Sequence, residues 1–163
     1  MNFTYTLAPL PELRQIWQKN IDNNPDDPNW LRWRDEYIYY NTTGMATTFL
    51  VLADGGPVGE GTLILSPDCK AVVGRPVALA DGSRIANVNA LRIEKAYEGQ
   101  GHISRMMREL EDHARRLGYT HLSIGVEARE ARNLAIYLHW GYRTFLMSEI
   151  DDGELILYYT KEL

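Results

Sequence analysis

Two glycines, Gly99 and Gly101, stand between a β-rich run, Ile85 to Ile93, and a basic amphipathic stretch, Ser104 to Gly118. A glycine turn at such a junction lets backbone approach a ligand closely, and the first N–H groups of the following helix have no intrahelical partner. The run Glu98-Gly99-Gln100-Gly101-His102-Ile103 is therefore equipped to hold phosphate oxygens. A phosphorylated cofactor is the first expectation. Arg105, in the first turns of that helix, is placed to reach a phosphate and reads equally well as a plain surface arginine. Farther on, the phenol of Tyr137 is a candidate general acid; a packed tyrosine with a satisfied hydroxyl is its competing reading.

No base announces itself as clearly. Glu60, in a β-rich run, is the carboxylate best placed for the role, although alternation also suits a charged residue on a solvated sheet face. Asn87 and Asn89 are too weak as bases and instead suit the orientation of a water; Glu127 suits support of the next helix. His102, His113, His121 and His139 make no metal-ligand spacing with Cys69, and no GxSxG framework occurs, so neither a metal site nor a hydrolase is expected. His102 reads as an exposed turn histidine.

These residues need elements to position them. Asn2 to Ala8 alternates as a strand, and Pro9 and Pro11 precede a helical PELRQIWQKN with Leu13, Ile16 and Trp17 on one face. After the turn-rich IDNNPDDPN comes a second helix carrying Trp30, Trp33, Tyr37 and Tyr40. Thr47 to Leu52 and Val58 to Leu65 form a strand pair about ADGG. Ser66 to Ser83, broken by Pro67, Gly74, Pro76 and Gly82, reads as a long connection with short apolar pieces able to make an extra hairpin. Strand Ile85 to Ile93 leads to the central helix, in which Ile103, Met106, Met107, Leu110, Ala114 and Leu117 mark the buried face. Arg108, Glu109, Glu111, Asp112, Arg115 and Arg116 mark the solvated one. Gly118 stops that helix, HLSIGVE is a strand, Ala131 to Trp140 a short helix, and RTFLMSEI and ELILYYT a final pair about an acidic turn.

The Glu98–Ile103 run resembles motif A of the GNAT N-acetyltransferase superfamily, Q/R-x-x-G-x-G/A, with Glu98 where Arg or Gln is usual and Ile103 where a small residue is usual. The segment from Val126 to Tyr142 resembles the family's motif B, with Glu130 for the usual Asn, Asn133 for the usual Ala, Tyr137 as the tyrosine and Trp140-Gly141-Tyr142 as the close. The joint spacing and the element order extend the resemblance along the whole chain. It implies an α/β fold with an α+β mixed sheet, central, twisted and mostly antiparallel, split between strands 4 and 5 and flanked by helices. It further implies acetyl-CoA as cosubstrate, whose pyrophosphate would be held by Glu98, Gly99, Gln100, Gly101, His102, Ile103, Ser104 and Arg105. The pantetheine arm would lie along Leu91, Arg92 and Ile93 and pass near Glu130, Asn133 and Tyr137. The reaction implied is direct acetyl transfer to a primary amine in a ternary complex, and a homodimer is common in the family.

A dinucleotide-binding unit is the rival for the glycine turn. Ser104 stands where its third glycine belongs, Glu94 to Glu98 separate the strand from the turn, and no alternating β-α series continues. The 163 residues, 45% hydrophobic and 24% charged, suit a single domain over 1–163. One cysteine excludes an intrachain disulfide, and the start MNFTYTLAPLPEL lacks signal-peptide character, so a cytoplasmic location is expected. The apolar runs are too short for a membrane span, and a net charge of -5 disfavours nucleic acid. A small-molecule amine and a peptide or protein amine both suit that charge. The resemblance implies an acceptor side near the two N-terminal helices, the Ser66 to Ser83 connection and the Asp151-Asp152 turn, and the aromatics of the helices serve as a wall or as core. An acyl-CoA-binding domain without catalysis, for regulation or assembly, is the alternative function.

Overall fold

The computed structural model describes all residues, 1–163. Strand β1 (Phe3–Leu7) is followed by helices α1 (Leu10–Asn23) and α2 (Asn29–Thr43), strands β2 (Ala46–Ala53), β3 (Gly56–Ile64) and β4 (Ile85–Ile93), and helix α3 (His102–Arg116). Strand β5 (His121–Glu127), helix α4 (Ala131–His139) and strands β6 (Thr144–Asp151) and β7 (Glu154–Glu162) complete the order. The seven strands make one mixed sheet in the order β1-β2-β3-β4-β5-β7-β6. The β1–β2, β5–β7 and β6–β7 pairs are antiparallel and β4–β5 is parallel. No helix is long and apolar enough to cross a membrane.

Contacts group the chain into two compact units, Met1–Leu63 with Ala90–Asp112, and Ile64–Asn89 with His113–Leu163. In the first unit α1 opens at Pro9, with Pro11 inside its first turn, and buries Leu13, Ile16 and Trp17 at helical spacing. Helix α2 stops at Gly44, left-handed at φ 77°, where the Met45 N–H returns to Tyr40 O. Tyr37 and Tyr40 are core, whereas Trp30 and Trp33 are half-buried. On α3 Met106, Met107 and Leu110 are fully buried and Ile103 is half-buried, as the pattern of spacing predicts.

In the second unit Leu79, Ala86, Leu122, Ile124, Val126 and Tyr142 form the core. The expected extra hairpin is absent, and residues 65–84 run as turns and bends. Side chains there satisfy the backbone in place of a ladder. Asp81 Oδ1 accepts from the N–H groups of Ser83, Arg84 and Ile85 at 3.0, 2.8 and 2.9 Å, and Arg75 Nη1 donates to Ala71 O at 2.9 Å. Arg75 Nε also meets Glu149 at 3.0 Å, and Tyr158 OH donates to the same carboxylate at 2.6 Å. Two helix assignments are corrected. Leu117 is 48% exposed because α3 ends at Arg116, and Glu111, expected on the solvated face, is buried.

Candidate active site

In the first unit β4 leads to the glycine turn. Ala90, inside the strand, has φ 53°, a left-handed conformation uncommon for a residue with a Cβ. The register of β4 with β5 covers only Ile85↔His121 to Val88↔Ile124 and ends just before this residue. Beyond it, Leu91 lies over Gly61, where a Cβ would come within 3.0 Å of Leu91 Cδ1 and of Met106 Cγ. Ile93 lies over Gly59, where a Cβ would come within 2.6 Å of its Cδ1. The glycines that flank Glu60 thus leave room for Leu91 and Ile93 on the α3 side of β3. Strand alternation turns Glu60 and Arg92 to the other side.

There Glu60, 1% exposed, accepts from Arg92 Nη2 at 2.9 Å and from Asn20 Nδ2 at 2.8 Å. The Arg92 guanidinium lies 5.2 Å from the Trp17 ring and 5.0 Å from the Trp30 ring. Each Glu60 oxygen has a donor, so the carboxylate is engaged as the counter-ion of Arg92 and the partner of Asn20. Neighbouring Lys19 donates to Pro57 O at 2.7 Å and to Glu94 at 2.8 Å, fixing α1 to the ends of β3 and β4.

A short 3-10 turn, Lys95–Tyr97, carries the chain into Glu98, and Gly99 and Gly101 follow at φ 74° and 86°. A Cβ at either glycine would meet nothing within 4 Å, so both are glycine for conformation and leave open space above the backbone. The Arg105 N–H donates to Gly101 O at 3.0 Å. The N–H groups of His102, Ile103 and Ser104 precede this first ladder bond and are available to an anion. Glu98 and Gln100 are exposed. Arg105 pairs with Glu109 at 3.0 Å and lies 5.1 Å from the Tyr5 ring, so its guanidinium is held at the first turn of α3. His102 is a correction: the side chain is 6% exposed, bonded through Nδ1 to Tyr5 OH at 2.7 Å and packed 4.3 Å from the Phe3 ring. As the first residue of α3 it turns inward and anchors the loop to β1.

The second unit holds the motif B residues. Tyr137 is half-buried on α4, 5.8 Å from the Trp140 ring. Burial first, and then the charge of Glu130, push its phenol above the ordinary tyrosine value. A phenol so perturbed stays protonated at neutral pH, the state a general acid requires. Asn133 Nδ2 donates to Glu130 Oε2 across the first turn of α4. A polar chain runs below β4: Asn89 Nδ2 donates to Asn87 Oδ1 at 3.2 Å, Asn87 Nδ2 to Ser123 Oγ at 3.0 Å, and Ser123 Oγ to Leu79 O at 2.6 Å.

Sequence reasoning missed Asn20, Trp17 and Tyr5. Their partners, Glu60 for Asn20, Arg92 for Trp17 and His102 for Tyr5, lie 40, 75 and 97 residues away, beyond any local pattern. The one local signal was Glu60 between two glycines.

Residues 10–142 match the acetyltransferase (GNAT) family. The chain belongs to that family. Among solved structures it is similar to an N-acetyltransferase from Staphylococcus aureus Mu50, at 14% identity and TM-score 0.73 over 99% of each chain. It is also similar to a GNAT acetyltransferase from Elizabethkingia anophelis with acetyl-CoA bound, at 15% identity and TM-score 0.63 over 99% of each chain. A third is the PaiA N-acetyltransferase from Thermoplasma acidophilum in complex with coenzyme A, at 14% identity and TM-score 0.63 over 100% of each chain. At such identities these likenesses concern the fold, which is the GNAT acyltransferase fold. No curated protein sequence matches the chain.

Proposed function

We propose that the protein transfers an acetyl group from acetyl-CoA to a primary amine by direct attack in a ternary complex. The observation that carries this reading is the Gly99/Gly101 turn, left-handed at both glycines and open above the backbone, at the start of α3 in a chain of the GNAT family. The N–H groups of 102–104 and the Arg105 guanidinium would hold the pyrophosphate. Backbone groups of Leu91, Arg92 and Ile93, next to the irregular Ala90, would hold the pantetheine arm and polarise the thioester carbonyl. Glu130 and Asn133 open the helix that carries Tyr137. The cosubstrate supplies an activated acyl group. Tyr137 OH would give its proton to the departing sulfur.

The amine must shed a proton, and the locked Glu60–Arg92 pair supports Glu60 as the anchor of Arg92 more than as the base. We assign that proton to a water, which the Asn87–Asn89 pair on β4 is suited to orient. Exposed Glu98 is free to turn its carboxylate away from phosphate. Acceptors of either kind, small amines or peptide amines, suit the negative chain.

The test is incubation of the protein with acetyl-CoA and a broad amine panel, with thiol release and product mass as the readouts. Cys69 adds little background, since burial first and the Asp68 charge second push its thiol up to about 11. Acetylated product with stoichiometric thiol supports the reading. Saturable acetyl-CoA binding without transfer to any amine would favour a binding domain of the same fold.

A further inference from the structure

Two buried donors in the first unit have no acceptor: Trp17 Nε1, on a residue 1% exposed, and Arg92 Nε. They belong to one cluster, since the Arg92 guanidinium lies 5.2 Å from the Trp17 ring. Glu60 does not serve them: its oxygens accept from Arg92 Nη2 and Asn20 Nδ2, and neither Trp17 Nε1 nor Arg92 Nε makes a hydrogen bond to it. The guanidinium lies 5.0 Å from the Trp30 ring as well, against one side of two rings whose centroids are 6.3 Å apart, and it is tied at one end to Glu60, so its position is held. Removing a donor from water without a partner is costly, and two such donors on residues in contact are matched by lone pairs alone. The cluster nevertheless reaches the surface, because the Arg92 side chain is 35% exposed.

We propose that Trp17 Nε1 and Arg92 Nε form a subsite for an sp2 oxygen of the acceptor, a carboxylate or an amide carbonyl close to its amine. The Glu60 charge already balances Arg92, so the subsite accepts a neutral carbonyl as well as a carboxylate. The acceptor class is then an amino acid, an amino amide or a peptide N-terminus, and a simple alkylamine lacks the required oxygen. This deepens the acyltransfer reading and rests on it.

Calorimetric titration with matched trios, each an amino acid, its amide and its decarboxylated amine, over apolar, acidic and basic side chains, tests the subsite. In the best-bound trio the acid or the amide binds about tenfold tighter than the amine, and the better of the two tells which oxygen is read. Trp17→Phe, which deletes the N–H and keeps a ring, and Arg92→Lys, which keeps the charge and deletes Nε–H, each cut that advantage to about threefold or less, the affinities of acid and amide falling toward that of the amine. Equal binding across every trio, binding of none at 10 mM (about the weakest useful affinity), or an advantage that survives both variants would overturn the proposal. Acetyl-CoA is titrated into the same samples. An oxygen preference without acetyl-CoA binding would sink the transfer reading and leave the subsite standing.

Discussion

Arg92 donates from Nη2 to Glu60 at 2.9 Å, joining a third-exposed guanidinium to a carboxylate that is 1% exposed. The pair links β4 to β3 and, through Asn20, to α1. Replacing Glu60 by Gln removes the charge and leaves Arg92 among indoles without its counter-ion. Breaking such a pair costs about 2 kcal/mol, toward the low end for buried pairs because Arg92 is partly hydrated. Urea denaturation of Glu60→Gln measures it, and a loss below about 0.5 kcal/mol, the scale of an exposed pair, would show that the pair does not hold these elements together.

Gly61 predicts a packing effect of its own. A methyl there would stand 3.0 Å from both Leu91 Cδ1 and Met106 Cγ and 3.1 Å from Leu110 Cδ1. Gly61→Ala is therefore destabilising by about 1–3 kcal/mol, despite the gain that alanine normally brings to a strand. Thermal melting compares it with Gly56→Ala, whose Cβ would meet only Ala53 O at 3.6 Å.

Tyr137→Phe lowers kcat by about 100-fold, the lower bound for a positioned general acid, with the acetyl-CoA KM little changed. Because burial and then Glu130 raise the phenol pKa, the alkaline limb of kcat due to Tyr137 lies above the ordinary value near 10. Glu130→Gln removes a negative charge that favours the neutral phenol, so it moves that limb down in pH. A limb unmoved in Tyr137→Phe belongs to another group.

Asp81 gives a pH dependence of stability. Burial alone would raise its carboxyl pKa, but the three backbone N–H donors outweigh burial and lower it. A lowered folded value contributes stability above the unfolded value, near 3.9, and that contribution is lost as pH falls through the folded value. Asp81→Ala should cost about 1 kcal/mol at neutral pH, on the scale of a lost capping side chain at an exposed site. The gap to the native chain narrows on acidification below about pH 4. Urea midpoints at pH 7 and pH 3 check this; a gap independent of pH would contradict it.

The element order was legible because apolar spacing and punctuation agree: Pro9 and Pro11 open α1, Gly118 follows the end of α3, and alternation marks the strands. The turn at Gly99 and Gly101 was legible because positive φ there selects glycine. Burial of His102 was not, since its partners Tyr5 and Phe3 come from the other end of the chain. Nor was the failed hairpin between β3 and β4, where Asp81 and Arg75 take up backbone groups that a ladder would have used. Glu111 shows the same limit, because helical spacing alone does not say how far the buried face extends.

Calorimetric titration of the ligand-free protein with acetyl-CoA, with NADH in parallel, tests the central claim most directly. The phosphate-holding turn predicts saturable acetyl-CoA binding, no NADH binding, and loss of acetyl-CoA binding in Gly101→Trp with the melting transition retained. Absence of acetyl-CoA binding at millimolar ligand (on the order of the weakest specific affinities), or binding undiminished in Gly101→Trp, would contradict it.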